Sequence, residues 1–302
     1  MTVDFNTLYP WAGIETVTID GQTMKKIPKF WLKVGKAPAS AAYPGKKCYW
    51  ISDRPREGYH VHPSFIKNGD EMDCFYIGAY EAYNNSGKAG SATGKTPWVN
   101  IDNPSAIAAC AARNTGGQEG WHLQTIYERA AVSLLMMIEL GTPNVQTTIA
   151  AGNVSSSAAQ ATGATAATWR GIHEWWGNVW EHTDGFKTDA NSMGLIFSNR
   201  GDGSYVFTGV PVAAGWIKET SEASGTNFDM NDVFVPSVAD GTEGNGTFGD
   251  YSWVAANCVL YQSGAWDHGA RGGAFVFSAA NAASRSVTNI GFRVAKYGNT
   301  AS

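Results

Sequence analysis

Trp175-Trp-Gly-Asn-Val-Trp-Glu-His-Thr-Asp-Gly185 packs three tryptophans around a Gly-Asn pair. Such a stretch reads as a tight turn flanked by aromatic plates, whose first use is core packing. The side-chain oxygens of Asn178 and Glu181 are also hard donors of the kind that join backbone carbonyls around calcium. A structural calcium held by Asn178 and Glu181 is therefore a second expectation, although no other cofactor is required.

Outward from this turn the chain divides by texture. Glu15-Thr-Val-Thr-Ile19, Lys29-Phe-Trp-Leu-Lys-Val34 and Cys74-Phe-Tyr-Ile-Gly-Ala-Tyr80 carry the β-branched and aromatic residues of strands, and Asp20-Gly21 marks a hairpin. Ser86 to Pro97 is a Gly-rich loop. Two helices are expected. One spans Pro104 to Asn114; the other runs from about Leu123 to Leu140, where Ile126, Ala130, Leu134 and Ile138 recur every four residues and Gly141 and Pro143 stop it. Residues 151–168, mostly Ala, Gly, Ser and Thr, predict a long surface excursion, and 185–250 predict one or two inserted loops. The organisation is one domain, with residues 1–69 as a strand-rich N-terminal part or short extension and 70–302 as the main body.

Composition narrows the function. Hydrophobic residues at 43% against 16% charged exclude a chain kept disordered by its charge. A net charge of -4, with no cluster of Lys and Arg, excludes nucleic acid as an expected partner. No run of eighteen apolar residues occurs and the N-terminus lacks a basic-then-apolar segment, so neither membrane insertion nor a signal peptide is expected. Cys48, Cys74, Cys110 and Cys258 lie far apart without a CxxC pair and read as reduced core thiols.

Formal catalytic motifs fail on their own chemistry. Ala89-Gly-Ser-Ala-Thr-Gly94-Lys95-Thr96 fits a relaxed phosphate-loop pattern, but Pro97 follows where a helix must open. His60-Val-His62 puts two imidazoles on one strand face without a third ligand. His173-Glu174 has Gly177 where a metalloprotease pattern needs its second His.

Gly177-Asn-Val-Trp-Glu181, Arg271-Gly-Gly-Ala-Phe275 and Gly291-Phe-Arg293 occur in the order and spacing of formylglycine-generating enzymes and their relatives, which the chain resembles. Phe75-Tyr-Ile-Gly-Ala-Tyr-Glu81 looks like the early strand of that family and Gly120-Trp-His-Leu-Gln-Thr-Ile-Tyr-Glu-Arg-Ala130 like its central helix, so the likeness covers about residues 70 to 295. It implies an α+β, C-type-lectin-like fold with mixed antiparallel sheet, two helices and long loops. The enzymes of the family use a cysteine pair between the Arg-Gly-Gly and Gly-Phe-Arg motifs, whereas this chain has no cysteine after Cys258. The sugar-binding triplets of calcium-dependent lectins are missing too.

A third branch fits better: the chain resembles the variable proteins of diversity-generating retroelements, found on phage tails and bacterial surfaces. There a reverse transcriptase rewrites adenines in a C-terminal segment, and an AAY codon never yields Lys, Glu, Gln, Met or Trp. Those first four make up 38 of the 302 residues, so a stretch of 32 would hold about four; Ser263 to Val294 holds none. The expected hypervariable segment is 261–290. Within and beside it Trp266, Gly269, Arg271, Gly272, Gly273, Ala274, Phe275, Ile290, Gly291, Phe292 and Arg293 read as scaffold. Tyr261, Ser263, Ala265, Asp267, His268, Val276, Ser278, Ala280, Asn281, Arg285, Val287, Thr288 and Asn289 are reachable from AAY and form the expected exposed contact set. The plainer alternative is an Ala- and Ser-rich edge. The resemblance implies a non-catalytic ligand-binding display protein with a receptor on a bacterial cell, carried on a phage tail or a cell surface. The alternatives are a formylglycine-type oxidase and an invariant tail protein.

Overall fold

Asp20 and Gly21 both take left-handed backbone, and the strands Glu15–Ile19 and Gln22–Pro28 fold back about them as the expected hairpin. Gln22–Pro28 pairs with Cys74–Gly78, and the last strand, Val294–Tyr297, enters between Cys74–Gly78 and Trp121–Leu123. This antiparallel sheet ties the two ends of the chain together. The computed structural model describes residues 3–242 and 247–300; of the ranges read above, 1–2, 243–246 and 301–302 lie outside the described residues.

A second sheet of nine strands, counted among the described residues, is built around Trp180–Thr188. That strand pairs antiparallel with Met193–Phe197 and Val259–Gln262, and parallel with Ile290–Phe292. Phe277–Asn281 continues the sheet from Val259–Gln262 and is followed by Tyr251–Val254 in parallel. Residues 185–250 are therefore not simply inserted loops. Met193–Phe197, Tyr205–Pro211, Gly215–Thr220 and Pro236–Asp240 extend this sheet, and the Gly, Asn and Asp that suggested loops sit largely in the turns between them.

Helix α1 (Asn103–Ala111) starts where the Asp102 carboxylate accepts from the Ser105 amide. Helix α2 (Ile126–Leu140) opens on a reciprocal cap between Thr125 and Glu128 and ends at left-handed Gly141. It begins after Leu123 because Trp121–Leu123 pairs with Val294–Tyr297 as a strand. A third, four-residue helix, Val145–Thr148, carried no sequence signal. The fold is thus α+β. Its main core runs from Trp11, Ile27 and Phe30 through Leu134, Trp175 and Phe186 to Phe275 and Ala295, so residues 1–69 share it with the rest. Among the described residues no helix is long and apolar enough to cross a membrane.

Residues 151–168 also depart from expectation. Asn153, Val154, Thr162 and Ala167 are buried, and the stretch wraps the Trp175–Glu181 turn instead of leaving the body. Small side chains let its backbone come close enough to donate: Gly163 and Thr165 amides reach the Glu174 carboxylate, and the Gln160 amide reaches Asn178 Oδ1.

Candidate functional site

The motifs meet in one buried ionic cluster. Glu181 Oε2 accepts from Arg129 Nη1 at 2.6 Å and Gln124 Nε2 at 2.7 Å, and its Oε1 accepts from Arg293 Nε at 2.9 Å. Arg293 also donates to the carbonyls of Gly78, His173 and Glu174, so the central helix, the early strand, the Gly-Asn turn and the Gly-Phe-Arg end are bound through two guanidinium groups. Arg129 lies 4.2 Å over the Trp175 ring. Burial pulls the Arg129 pKa down to about 10, which still leaves it charged at neutral pH, and burial with the neighbouring Glu174 and Glu181 charges pushes Glu81 well up.

Asn178 and Glu181, the residues expected to hold calcium, are engaged by protein groups in this structure. Both Glu181 oxygens are turned to guanidinium donors. Asn178 Oδ1 accepts from Asn153 Nδ2 at 2.8 Å and the Gln160 amide at 2.7 Å, while its Nδ2 donates to Glu81 Oε2. A cation there would face two arginines already compensating the carboxylate. Gly177 and Asn178 are both left-handed, which is why the turn takes those residue types.

The Arg-Gly-Gly stretch is a close approach. A Cβ on Gly273 would fall 1.9 Å from Asp250 Oδ1, and the Phe275 amide donates to Asp250 Oδ2 at 2.7 Å. Burial raises the Asp250 pKa to about 8.

Over the outer side of the second sheet the C-terminal segment builds a small core of its own: Trp180, Tyr261, Ala265, Val276 and Ile290, with Trp253, Val259 and Val287 packed against it. This overturns part of the expected exposed set. Tyr261, Ser263, Ala265, Val276 and Ser278 are buried. Ser263 is left-handed and donates from Oγ to the Gly177 carbonyl, so it is keyed to the Gly-Asn turn. Ser278 lies in register with Tyr261 on one side and Trp253 on the other. A segment that packs on and within a sheet needs apolar side chains beneath its surface, and Tyr261, Ala265 and Val276 supply them.

The other eight reach the surface. Asp267, Arg285 and Thr288 are exposed, and His268, Ala280, Asn281, Val287 and Asn289 are half-buried. Two expected scaffold residues also belong outside. Trp266 is only half-buried, its place fixed by backbone bonds to Ser156 and Asn178, and Arg271 is exposed with its guanidinium 5.4 Å over the Tyr251 ring. Asp267 and Asn289, from opposite ends of the segment, meet at 3.5 Å. Beside them His268 contacts Trp180 and Trp253 edge-on. Tyr251 and Trp253 had not been singled out; their alternation about Ser252 was the available signal.

The remaining motifs are accounted for locally. Gly94-Lys95-Thr96 opens no helix, since α1 starts only at Asn103. His60 Nε2 pairs with Asp232 Oδ1 at 2.5 Å, and His62, driven down to about 3 by burial, bonds the Asp232 carbonyl and Ser64. All four cysteines are free, and burial raises the thiol pKa of Cys74, Cys110 and Cys258.

No family model matches the chain, and no curated protein matches it. Among solved structures, Treponema denticola variable protein 1 is 13% identical, with 93% of this chain and 98% of that one covered at a TM-score of 0.39. PvdO from Pseudomonas aeruginosa is 13% identical over 94% of this chain and 98% of its own at a TM-score of 0.34. A Major Tropism Determinant P3c variant is 15% identical over 87% of this chain and 62% of its own at a TM-score of 0.37. Likeness at this level carries no conclusion about what this chain does.

Proposed function

We propose that this chain is a non-catalytic display protein of C-type-lectin-like fold, whose exposed C-terminal residues bind a receptor on a bacterial cell and are diversified by a retroelement. Its setting is a phage tail or a bacterial surface. One observation carries the reading. The segment free of Lys, Glu, Gln and Met brings Asp267 and Asn289 together at the surface, while the motif residues beside it are hydrogen-bonded to one another inside. Exposed side chains there can change without disturbing the ionic cluster, which is what a display surface requires.

The oxidase alternative has little chemistry to draw on. Thiolate is the reactive form of cysteine, and burial holds Cys74, Cys110 and Cys258 as thiols, with Cys258 Sγ donating to the Ala256 carbonyl. Conversion of a cysteine-containing peptide to formylglycine by the purified protein, with copper and oxygen, would overturn the non-catalytic reading.

The direct test is a library varied at Asp267, His268, Arg285, Val287, Thr288 and Asn289, sorted for folded display and then for binding to a panel of bacterial strains. Folded variants should differ in the strains they bind. A single binding profile across all folded variants would sink the proposal.

A further inference from the structure

We propose that Tyr251 and Trp253, which precede the diversified segment, form a fixed aromatic floor to its surface, which together with the rim side chains of this sequence takes a neutral, hydroxyl-rich glycan. This rests on the display function proposed above and specifies its ligand class.

Strand Tyr251–Val254 runs parallel to Phe277–Asn281, with Ser252 opposite Phe277 and Trp253 opposite Ser278. Ser252 and Phe277 are buried, and the alternation of a strand sends Tyr251 and Trp253 to the other side, where both are partly exposed. The two rings lie 4.5 Å apart at 45°, and Trp253 meets His268 at 5.7 Å, so the floor is continuous with the segment. Trp180 backs it from beneath, edge-on to both.

The chemistry around the floor selects the ligand. Arg271 stands over Tyr251, and Asp267 stands beside Asn289, so in this sequence the near rim carries one cation and one anion. Burial lowers the His268 pKa, which keeps that ring neutral at physiological pH. An approximately neutral rim gives no premium to a charged ligand. A guanidinium, a carboxylate and an amide offer paired donors and acceptors, and partly open aromatic rings offer area for C–H faces; a sugar ring presents both hydroxyl pairs and C–H faces. A protein partner would favour a protruding apolar anchor. The well-exposed large apolar side chains, such as Tyr43, Phe207 and Val238, belong to other stretches of the chain. Neither Tyr251 nor Trp253 falls in the rewritten segment, so the floor stays in place while the rim around it changes.

The test uses the full chain, labelled, on a panel of bacterial strains treated with periodate, which cleaves vicinal diols, or with a broad protease. Binding should survive protease and vanish after periodate, and purified surface polysaccharide from a bound strain should compete. Trp253→Ala should weaken binding about tenfold or more, as the loss of one stacking surface implies, with Trp253→Phe in between. Should Trp253→Ala fail to fold, Tyr251→Ser and the periodate arm decide the matter. Binding removed by protease and untouched by periodate overturns the glycan class and leaves the display function standing. Full binding by folded Trp253→Ala overturns the floor. Binding to no strain overturns both readings.

Discussion

The Glu181 cluster and the surface of residues 266–289 lie within one strand of each other, yet they answer substitution by different physics. Around Glu181, two guanidinium groups and a carboxamide are buried and donate to one carboxylate, so losing a donor leaves that carboxylate short of a partner in the interior. At the surface, Asp267, Arg285 and Thr288 touch solvent, and losing any of them leaves no buried group unpaired. Between the two lies the small core of Trp180, Tyr261, Ala265, Val276 and Ile290, which belongs to the segment by sequence and to the scaffold by burial. The lesson is that lying in the Lys-, Glu-, Gln- and Met-free segment and being physically free to vary are separate properties.

Breaking the cluster should produce the largest effect. Arg293→Met leaves Glu181 Oε1 and three carbonyls without their donor in a dry interior, and should cost about 3 to 5 kcal/mol in denaturant unfolding. A loss under about 1 kcal/mol would mean that water reaches Glu181 and that the contrast drawn here is wrong.

The intermediate layer comes next. Val276→Asn buries an amide where an apolar side chain packs against Trp180 and Ile290, and should cost about 2 to 4 kcal/mol; Tyr261→Asn, which also opens a cavity, should cost at least as much. Thermal or denaturant melts of both would show whether these two positions side with the cluster, as burial requires, or with the surface.

A pH comparison sharpens the same division at Asp250. Its folded pKa, near 8, lies above the ordinary carboxylate value of 3.8, so the folded state holds a proton that the unfolded state has released. The stability contributed by this group is fully present below about pH 4 and is lost as pH rises towards about 8. Asp250→Asn keeps an acceptor for the Phe275 amide and cannot ionise. The stability of the parent relative to this variant should therefore fall between pH 4 and pH 8 and level off above; a relative stability that rises over that window would show that Arg129, the cation facing Asp250, outweighs burial.

The smallest effects should be at the surface. Asp267→Ser, Arg285→Ser and Thr288→Asn should each shift stability by no more than about 0.5 kcal/mol. A larger cost at any of them, read from the same melts, would move that residue out of the display surface.

Read by itself, the sequence determined the hairpin at Asp20-Gly21, the positions of both longer helices and the importance of the Gly-Asn turn, because each depends on local backbone preference or short-range periodicity, while the α+β class came from the motifs that resemble a known family. It also marked the Lys-, Glu-, Gln- and Met-free segment, a property of composition that needs no coordinates. The partners of Glu181 were decided only in three dimensions: Arg129 and Arg293, 52 and 112 residues away in the chain, donate to its carboxylate. Burial within the segment is equally non-local. Tyr261, Ser263, Ala265, Val276 and Ser278 are inside because the segment adds its own strands to a sheet built around the distant Trp180–Thr188, and Tyr251 and Trp253 join the surface because their strand lies beside Phe277–Asn281. Which side of a sheet is covered depends on what packs against it, and that is a property of the assembled fold.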